Sequence, residues 1–398
     1  MKKYLLRKVC LTLMSLAFIG SLIFYGGNFG WAQPKSSYVL PKTIYWGTRY
    51  VGASLYTIPA TMSEKIAPAL GCKIRLIPGE EVDMVNMLRA GRTHLSTFAA
   101  DCYWAAMGLE QYATFALGPQ PMRIIWPGLP ENGGGIGIVT KASGIKTPYD
   151  LKGKRMGRVV GSNVSNMSNL AALAFGNLTI NDVTIYDVSS YGAGYKGLAE
   201  GKIDYFMGAG TAPGVYEVEA SPYGVNIVRL PHEDKEGWAR YLKFLPYQFP
   251  GWSSNGPGIP PGEKVETCQY PWPITNTVAS QPDEFVYLIC KAIYAKMDEI
   301  VAGYKPNEAM KVDRAITPES TIMAPYHPGA IKFFKEIGVW KAAHEAANSK
   351  RLAHLEKVNK RWTVFVEESE EKMAKTKKKV DPAKEWKEIV EKEIGVLP

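Results

Sequence analysis

Few of the groups that metal and thiol chemistry depend on occur in this chain of 398 residues, which has five cysteines and five histidines. The sequence contains no CxxC pair, no GxSxG nucleophile elbow and no P-loop. Low-complexity tracts are also missing, and with 46% hydrophobic and 21% charged residues the composition is that of a globular protein. The length predicts roughly two to three domains. No catalytic constellation can be assembled from these residues.

Only one apolar run approaches the length of a membrane span, and it lies near the N-terminus, from Val9 to Tyr25. Basic residues precede it, and Gly30-Trp31-Ala32 fits a site for export peptidases. We expect residues 1–32 to be a signal peptide and the protein to be periplasmic, with an uncleaved anchor as the alternative. Part of the formal net charge of +9 lies in this leader, so the positive charge of the remaining chain is smaller. We therefore expect no nucleic-acid partner.

The cysteines that follow the leader leave the disulfide state open. They are Cys72, Cys102, Cys268 and Cys290. In an oxidising compartment three pairings of these four residues are possible. Buried thiols that pack as small apolar side chains are an equally good interpretation, and metal binding is a poor third.

Strand and helix patterns alternate twice along the chain. The first series runs from Thr43 to the strand HLSTFAA and includes a helix over VDMVNMLRAG, where Gly91 suits a C-terminal cap. The second begins near Ile136 and ends at the strand KIDYFMGAG. A segment rich in proline and glycine, residues 246–273, then indicates a crossing between lobes.

This rhythm predicts two α/β lobes, the second inserted in the first, that form a hinged clamshell. We assign residues 40–135 and 274–340 to lobe I and residues 136–273, with the crossing loops, to lobe II. The ligand site is expected between the lobes, near the C-terminal ends of the strands. Residues 341–398 are predicted to be a C-terminal helical extension. Its apolar residues recur at helical spacing, which fits a helix pair on the protein's own surface or, alternatively, a docking surface for a partner.

Several separate segments resemble one family of transport proteins. They are Gly47-Thr48 through Gly52-Ala53 with Tyr56, GIGIVTKASGIKTPYDLKGKRMG, LAEGKIDYFMGAGTAPG and AITPESTIMAPYHPGAIKFFKEIG. Together they span about residues 40–340 and are similar to the solute receptors of TRAP transporters, within them to the TAXI subgroup. The tail is not covered by these motifs.

The resemblance implies a type II periplasmic binding protein, a monomer without cofactor or catalytic residues. Such a receptor delivers its solute to the membrane subunits of a TRAP permease. The family's solutes are carboxylates, such as dicarboxylates, oxoacids and acidic amino acids. Two departures make a particular solute unsafe to infer: residues 49–51 replace a glycine run, and residues 162–166 replace a Gly-Ser-Gly-Thr-like turn.

A carboxylate needs oriented donors, which helix N-termini and an arginine fork supply. The ligand-binding residues that we predict are Arg49, Tyr50, Gly52, Ser54, Tyr56, Ala100, Asp101, Ser162, Asn163, Ser165, Gly210 and Thr211. Arg49 is the first choice, with a surface arginine or a pair with an acidic neighbour as the alternative. Ordinary N-capping is the alternative for the polar residues at the helix starts. For Asp101 a helix cap is preferred to the other interpretation, a partner for a ligand amine. Pro59 predicts that the first regular helix begins later than the family pattern implies.

Two matches to enzyme motifs are weak or incomplete, and two alternatives to a TRAP receptor remain. Residues 192–197 spell GxGxxG, a weak dinucleotide signal because no second nucleotide-binding half is present. His344-Glu345 begins a zinc-protease pattern, but Asn348 stands where the second histidine is required. A periplasmic hydrolase on the same scaffold would be recognised by turnover. A receptor for an ABC importer or a membrane sensor would keep the fold and change only the partner.

Overall fold

The computed structural model of the protein describes residues 38–50, 53–130, 135–317 and 322–398. The predicted signal peptide lies outside these residues. The strands are β1 (Thr43–Thr48), β2 (Lys73–Pro78), β3 (Leu95–Phe98), β4 (Met122–Pro127), β5 (Ile136–Thr140), β6 (Arg155–Val159), β7 (Thr184–Val188), β8 (Tyr205–Gly208), β9 (Val225–Ile227), β10 (Phe249–Ser253), β11 (Val265–Gln269) and β12 (Ile274–Val278).

Helices of very different length connect and cover the strands. They are α1 (Ser54–Leu70), α2 (Glu81–Arg89), α3 (Asp101–Met107), α4 (Asn163–Phe175), α5 (Tyr191–Ala199), α6 (Pro213–Ala220), α7 (Lys235–Tyr241), α8 (Asp283–Ala295), α9 (Met297–Gly303), α10 (Val312–Ala315), α11 (Pro328–Glu336), α12 (Ala342–Thr376) and α13 (Pro382–Ile389). None of the helices in the described ranges combines the length and the hydropathy that a membrane span needs.

Two five-stranded sheets of the same design form the centres of two lobes. The first has the order β2-β1-β3-β12-β4 and the second the order β7-β6-β8-β5-β9. In each, three strands run parallel, and a fourth, β12 or β5, pairs antiparallel with its neighbours. Because β12 belongs to the first sheet, the chain returns to the first lobe after building the second. The predicted fold, a two-lobed α/β periplasmic binding protein with a C-terminal helical extension, is confirmed.

The two segments that cross between the lobes are bonded to each other. The Trp272 N–H donates to the carbonyl oxygen of Gly128 over 2.7 Å, and the Gly128 N–H donates to that of Pro273 over 2.7 Å. A Cβ at Gly128 would come within 2.8 Å of the Pro273 ring, so a side chain does not fit there. The crossing strands therefore leave the first lobe as one paired unit, and any hinge motion begins beyond it.

Helix α1 begins at Ser54, so the expectation of a later start is wrong. Pro59 lies inside the helix and is buried. A proline at this position removes one backbone hydrogen bond, but the helix buries an apolar face that includes Ile58, Met62 and Ile66. Burial of several large apolar side chains, each worth about 1.5–3 kcal/mol, outweighs the loss of one hydrogen bond.

The predicted C-terminal cap of α2 is observed, because Gly91, just past the end of the helix, adopts a φ of 66°.

The C-terminal helices lie against the first lobe. Trp386 of α13 is completely buried, and its indole N–H donates to the Met107 carbonyl oxygen over 3.1 Å. Its ring centroid lies 4.9 Å from that of Trp362 on α12. Gly118 accommodates the Trp362 ring, which would come within 2.5 Å of a Cβ there. Aromatic packing thus joins the tail to the loop between α3 and β4.

The glycines of the GxGxxG segment serve helix packing. Gly194 and Gly197 lie on α5, where a Cβ at Gly194 would come within 2.2 Å of the Phe206 ring and one at Gly197 within 2.5 Å of Ile203. Helix α5 therefore lies on β8 at a distance that only glycine permits. Gly192 on the same helix has no atom closer than 3.8 Å to a Cβ.

We predict that Gly194→Ala lowers the free energy of unfolding by about 1–3 kcal/mol, because the stiff, fully buried Phe206 ring has to move. Gly192→Ala is the matched control and should be neutral or slightly stabilising, since alanine is the better helix former. Urea denaturation of both variants measures the difference. Equal effects of the two substitutions would contradict the packing role.

Candidate functional site

Arg49 directly follows β1 and lies at the edge of the first sheet where the parallel strands end. Only 6% of the residue is exposed. Its Nη1 forms ion pairs with Glu80 and Glu81, which stand at the end of the neighbouring strand β2. Burial by itself lowers the pKa of Arg49. The negative charge of Glu81, followed by smaller contributions from Tyr191, Glu80 and Asp101, raises it by more, so the pKa of Arg49 lies above its ordinary value. The pairing with acidic neighbours is thus observed, and the role of Arg49 towards a ligand stays a prediction.

Arg49 also reaches the second lobe. Its Cζ lies 5.9 Å from the ring centroid of Tyr191, the first residue of α5. The Tyr191 hydroxyl forms a hydrogen bond of 3.2 Å with the Ser162 hydroxyl. Burial raises the pKa of Tyr191. A continuous row of polar groups therefore runs from Arg49 on the first lobe through Tyr191 to Ser162 on the second, and we call these three residues the cleft row.

Asp101 is the first residue of α3 and is 1% exposed. Its Oδ1 accepts a hydrogen bond of 3.4 Å from the Tyr112 hydroxyl, whereas its Oδ2 has no hydrogen-bond partner among the described residues. Burial, and then the charge of Glu81, raise the pKa of Asp101 well above its usual range. The expectation that Asp101 caps its helix is wrong, since Ala100 occupies the N-cap position and no side-chain cap forms.

Glu81 opens helix α2 and is 5% exposed. Burial raises the pKa of Glu81, although the Arg49 charge opposes the shift. Glu80, Glu81 and Asp101 together bring three carboxyl groups to the surroundings of one guanidinium. The first-lobe side of the cleft row is therefore acidic whenever all three are ionised.

The other predicted residues of the first lobe lie in the turns beside Arg49. Ser54 and Tyr56 are half-buried in the first turn of α1, and Tyr50 is 56% exposed. Ala100 is fully buried before α3. Gly52 lies outside the described residues. We observe no hydrogen bond that commits the Ser54 or Tyr56 side chain to another described residue.

The predicted residues before and in α4 differ in what their polar atoms contact. The Ser162 hydroxyl oxygen accepts a hydrogen bond of 3.3 Å from the Ser165 N–H, which makes Ser162 the N-cap, and it also contacts Tyr191. The Ser165 hydroxyl is fully buried and accepts from the Val159 N–H over 3.3 Å, so it ties α4 to β6. The Asn163 Nδ2 is a buried donor without a partner among the described residues.

Gly210 and Thr211 form the turn between β8 and α6. A Cβ at Gly210 would lie 2.6 Å from Ile136, and the Gly210 carbonyl oxygen would lie 3.1 Å from a Cβ at Gly256. This turn therefore packs closely against the second crossing segment. The structure records no contact between it and the cleft row, and its role in ligand binding stays a prediction.

The site residues that the sequence analysis missed are Glu80, Glu81, Tyr112 and Tyr191. A signal for the first two existed, because the register of β1 and β2 pairs Thr48 with Pro78. The residues that follow these two strand ends must then lie side by side, which puts the acidic pair next to Arg49. The residues around Tyr191 in the sequence give no signal that would separate it from a tyrosine of the core.

Thiol and metal chemistry have little support in the described part of the chain. The four cysteines are free, three of them buried and Cys72 partly so, and burial raises the pKa of Cys268 to about 11. The structure therefore agrees with the buried-thiol interpretation. No group of three or more metal-ligating side chains occurs within the ranges described. Trp46 and Trp126 are fully buried core residues.

The two lobes, their paired crossings and the cleft row define the class of this molecule, a periplasmic binding protein in fold. The chain belongs to the NMT1-like family, whose model matches residues 47–338. Periplasmic binding proteins close around a ligand by hinge motion of their lobes.

Solved structures of binding proteins are similar to the chain at low identity. PhnD1 from Prochlorococcus marinus in complex with methylphosphonate is 11% identical, with 76% of this chain and 100% of that chain covered and a TM-score of 0.47. The alkanesulfonate-binding protein SsuA from Xanthomonas axonopodis pv. citri bound to MOPS is 14% identical, with coverages of 77% and 96% and a TM-score of 0.42. An ancestral arginine-binding protein bound to glutamine is 17% identical, with coverages of 69% and 99% and a TM-score of 0.38. Similarity at this level says nothing about what this chain binds.

We predict that Arg49→Ala lowers the free energy of unfolding by about 3–5 kcal/mol, because it leaves the carboxylate of Glu81 buried and unpaired. Arg158→Ala is the matched control. The Arg158 side chain is 40% exposed in its 2.6 Å pair with Asp187, and the loss should be at most about 1 kcal/mol. Chemical denaturation measures both. Comparable losses would show that the pairs of Arg49 are no more important than a surface ion pair.

The raised pKa of Asp101 makes its contribution to stability depend on pH. A carboxyl whose pKa is raised on folding holds its proton more tightly in the folded state, so folding loses free energy as the pH rises above the unfolded-state pKa. Asp101→Asn should therefore gain stability relative to the wild type as the pH increases from about 4. Asp187→Asn is the control of opposite sign, because the Arg158 hydrogen bond lowers the pKa of Asp187. Thermal unfolding from pH 4 to 8 checks both, and a difference independent of pH for Asp101→Asn contradicts the prediction.

Proposed function

We propose that the protein is an extracytoplasmic receptor that captures a small solute between its lobes, closes on it and releases it unchanged to a membrane transporter. The observation that carries this proposal is the cleft row, because it joins the two lobes through the buried Arg49 and Ser162 and the partly buried Tyr191. A solute that contacts both walls favours the closed state by its differential affinity. The paired crossings supply the connection about which such closure takes place.

The transporter in this proposal is of the TRAP type, and the receptor belongs to the TAXI subgroup and acts in the periplasm as a monomer. The support is the resemblance of four segments within residues 40–340, together with the family match over residues 47–338. The membrane subunits of the permease are the partner. The leader of residues 1–32 is consistent with export.

The solute in this proposal carries at least one carboxylate. The start of α4 supports this class, because the first N–H groups of a helix lack partners within the helix and the helix dipole favours an anion there. The unpartnered Nδ2 of Asn163 adds a buried donor at the same place. Arg49 would bind a carboxylate only after one of its present ion pairs breaks. Glu80 is the partner that it would release, because the Glu80 side chain is 43% exposed and water can solvate it.

The proposal is tested with succinate, 2-oxoglutarate and L-glutamate as probes. A bound probe at 100 times its dissociation constant should raise the free energy of unfolding by about 2.7 kcal/mol. Small-angle scattering should then show compaction at saturation, and mass spectrometry should recover the probe unaltered. Chemical conversion of the probe, or binding without compaction, would contradict a receptor that closes on its solute.

Ser162→Ala should weaken binding of the best probe at least tenfold, because the hydroxyl that links the α4 start to Tyr191 is removed. Asp381→Ala is the matched control, since Asp381 caps α13 of the C-terminal extension through a hydrogen bond of 3.2 Å from the Lys384 N–H and makes the same kind of cap. Both variants lose about 1 kcal/mol of helix capping, so their free energies of unfolding should fall by similar amounts. The affinity for the probe should fall only in Ser162→Ala. Calorimetric titration measures the affinities. Equal affinities of the two variants would remove Ser162 from the site.

A further inference from the structure

The last two helices of the chain form a hairpin. Lys372 of α12 makes an ion pair of 2.9 Å with Glu385 of α13. Arg361, farther from the end of α12, pairs over 2.8 Å with Glu393, which follows α13. The two segments therefore run antiparallel, and residues 377–381 form the tip of the hairpin.

This tip carries positive charge that its surroundings do not neutralise. Lys377, Lys378 and Lys379 are consecutive and exposed, and Lys384 is exposed in the first turn of α13. We call these four residues the lysine tip. None of their side chains forms an ion pair with another residue in the described ranges. Asp381, the acidic residue of the turn, instead caps α13 by accepting a hydrogen bond of 3.2 Å from the Lys384 N–H.

Lysines on the flanks of the hairpin differ from the lysine tip, because each has a glutamate partner one helical turn away. These pairs are Lys360 with Glu356 at 2.7 Å, Lys375 with Glu371 at 3.0 Å and Lys392 with Glu388 at 3.5 Å. The dipole of α12 also favours a lysine in its last turn, but that effect fades beyond the turn. Helix stability therefore accounts for the flanking lysines and not for the lysine tip, whose neighbouring like charges repel one another.

The backbone of the tip is ordered. Lys377 ends α12 with a φ of 58°, and the Lys378 N–H donates to the Thr376 hydroxyl over 3.2 Å. Val380, directly after the run of three lysines, is only 8% exposed. The buried Val380 fixes the turn while the lysines stay in water. The lysine tip therefore has a defined position at the end of the hairpin.

The composition of the tip favours one kind of anionic partner. Protein interfaces are enriched in aromatic residues and arginine and depleted of lysine. Residues 375–384 contain five lysines and neither an arginine nor an aromatic residue. Lysine is a strongly hydrated point charge on a flexible stem, which suits a surface of spread negative charge. Clusters of about four to eight basic residues bind anionic lipid headgroups, with about fivefold in affinity for each residue near the surface.

We propose that the lysine tip docks the protein on the anionic lipid surface of a membrane. Trp386 is fully buried on α13, and its indole N–H donates to the Met107 carbonyl oxygen over 3.1 Å, so the hairpin is tied to the first lobe. Docking through the tip holds the first lobe at the bilayer and leaves the second lobe free for hinge motion. The inference goes beyond solute capture and does not depend on which solute is bound.

The test is co-sedimentation of the mature chain with lipid vesicles. The wild type should bind equimolar vesicles of phosphatidylglycerol and phosphatidylcholine at low salt at least tenfold more tightly than vesicles of phosphatidylcholine alone. Sodium chloride at 1 M should abolish the difference, because the Debye length is then about 3 Å. Inorganic phosphate at constant ionic strength should not displace the protein, since the tip binds a charged surface and not a single anion.

A triple variant assigns the binding to the tip. Lys377→Gln/Lys378→Gln/Lys379→Gln should weaken binding to the anionic vesicles at least tenfold. The matched control is Lys146→Gln/Lys235→Gln/Lys243→Gln, which changes the net charge equally at three exposed positions of the second lobe and should weaken binding less than threefold. Circular dichroism checks the fold of both, which substitutions at exposed positions should leave intact.

The outcomes separate this inference from its rivals. Equal losses in the two triple variants would show that net charge alone attracts the protein, and would overturn the role of the tip. Tight binding to phosphatidylcholine, or displacement by inorganic phosphate, also overturns it. A wild type that ignores the vesicles but binds poly-L-glutamate through the same lysines would assign the tip to an acidic protein instead. Solute affinity should be the same in the wild type and the tip variant, so failure of vesicle binding leaves the proposed receptor intact.

Discussion

The buried guanidinium of Arg49 is the interaction on which the rest of the cleft depends. A charge out of water is costly unless it is paired and hydrogen-bonded, so the fold must bring carboxylates to it. The parallel pairing of β1 with β2 does this, because both strands end at one edge of the sheet and Glu80 and Glu81 follow β2 directly. The same guanidinium lies over the Tyr191 ring of the second lobe. One side chain thus connects the sheet edge to the lobe contact.

The crossing segments restrict how that contact can open. Because Gly128 exchanges backbone hydrogen bonds with Trp272 and Pro273, the two connections cannot move independently where they leave the first lobe. In the proposed opening, the cleft row would separate at the contact between Arg49 and Tyr191, which is a ring contact and not a hydrogen bond. The hydrogen bond between Tyr191 and Ser162 lies wholly within the second lobe and would be retained. A solute that contacts both lobes would then replace the lost contact.

The sequence predicted the architecture because its signal is distributed over many residues. The alternation of strands and helices and the crossing segment rich in proline and glycine are both local patterns that the sequence shows directly. Arg49 was predicted from the guanidinium fork that a carboxylate needs, and Ser162 from its position before a helix. Glu81 and Tyr191 were missed, and Asp101 was misread as a cap, because their environment depends on which strands are neighbours. The prediction from Pro59 was wrong for a related reason. The backbone hydrogen bond that Pro59 removes is outweighed by the burial of the apolar face of α1, and that burial depends on the tertiary structure.

The two walls of the cleft have opposite electrostatic character, which gives the site a direction. Helix α4 presents its N-terminus and the Asn163 amide on the second lobe, whereas the first lobe contributes three carboxyl groups for one guanidinium. In the proposed receptor, an anionic solute would be attracted by the start of α4 and repelled by those carboxyl groups of the first lobe that are ionised. Closure, in the same proposal, would exclude water and strengthen both effects. Selectivity against a second negative charge would then come from the first lobe, because every anionic solute can use the donors of α4.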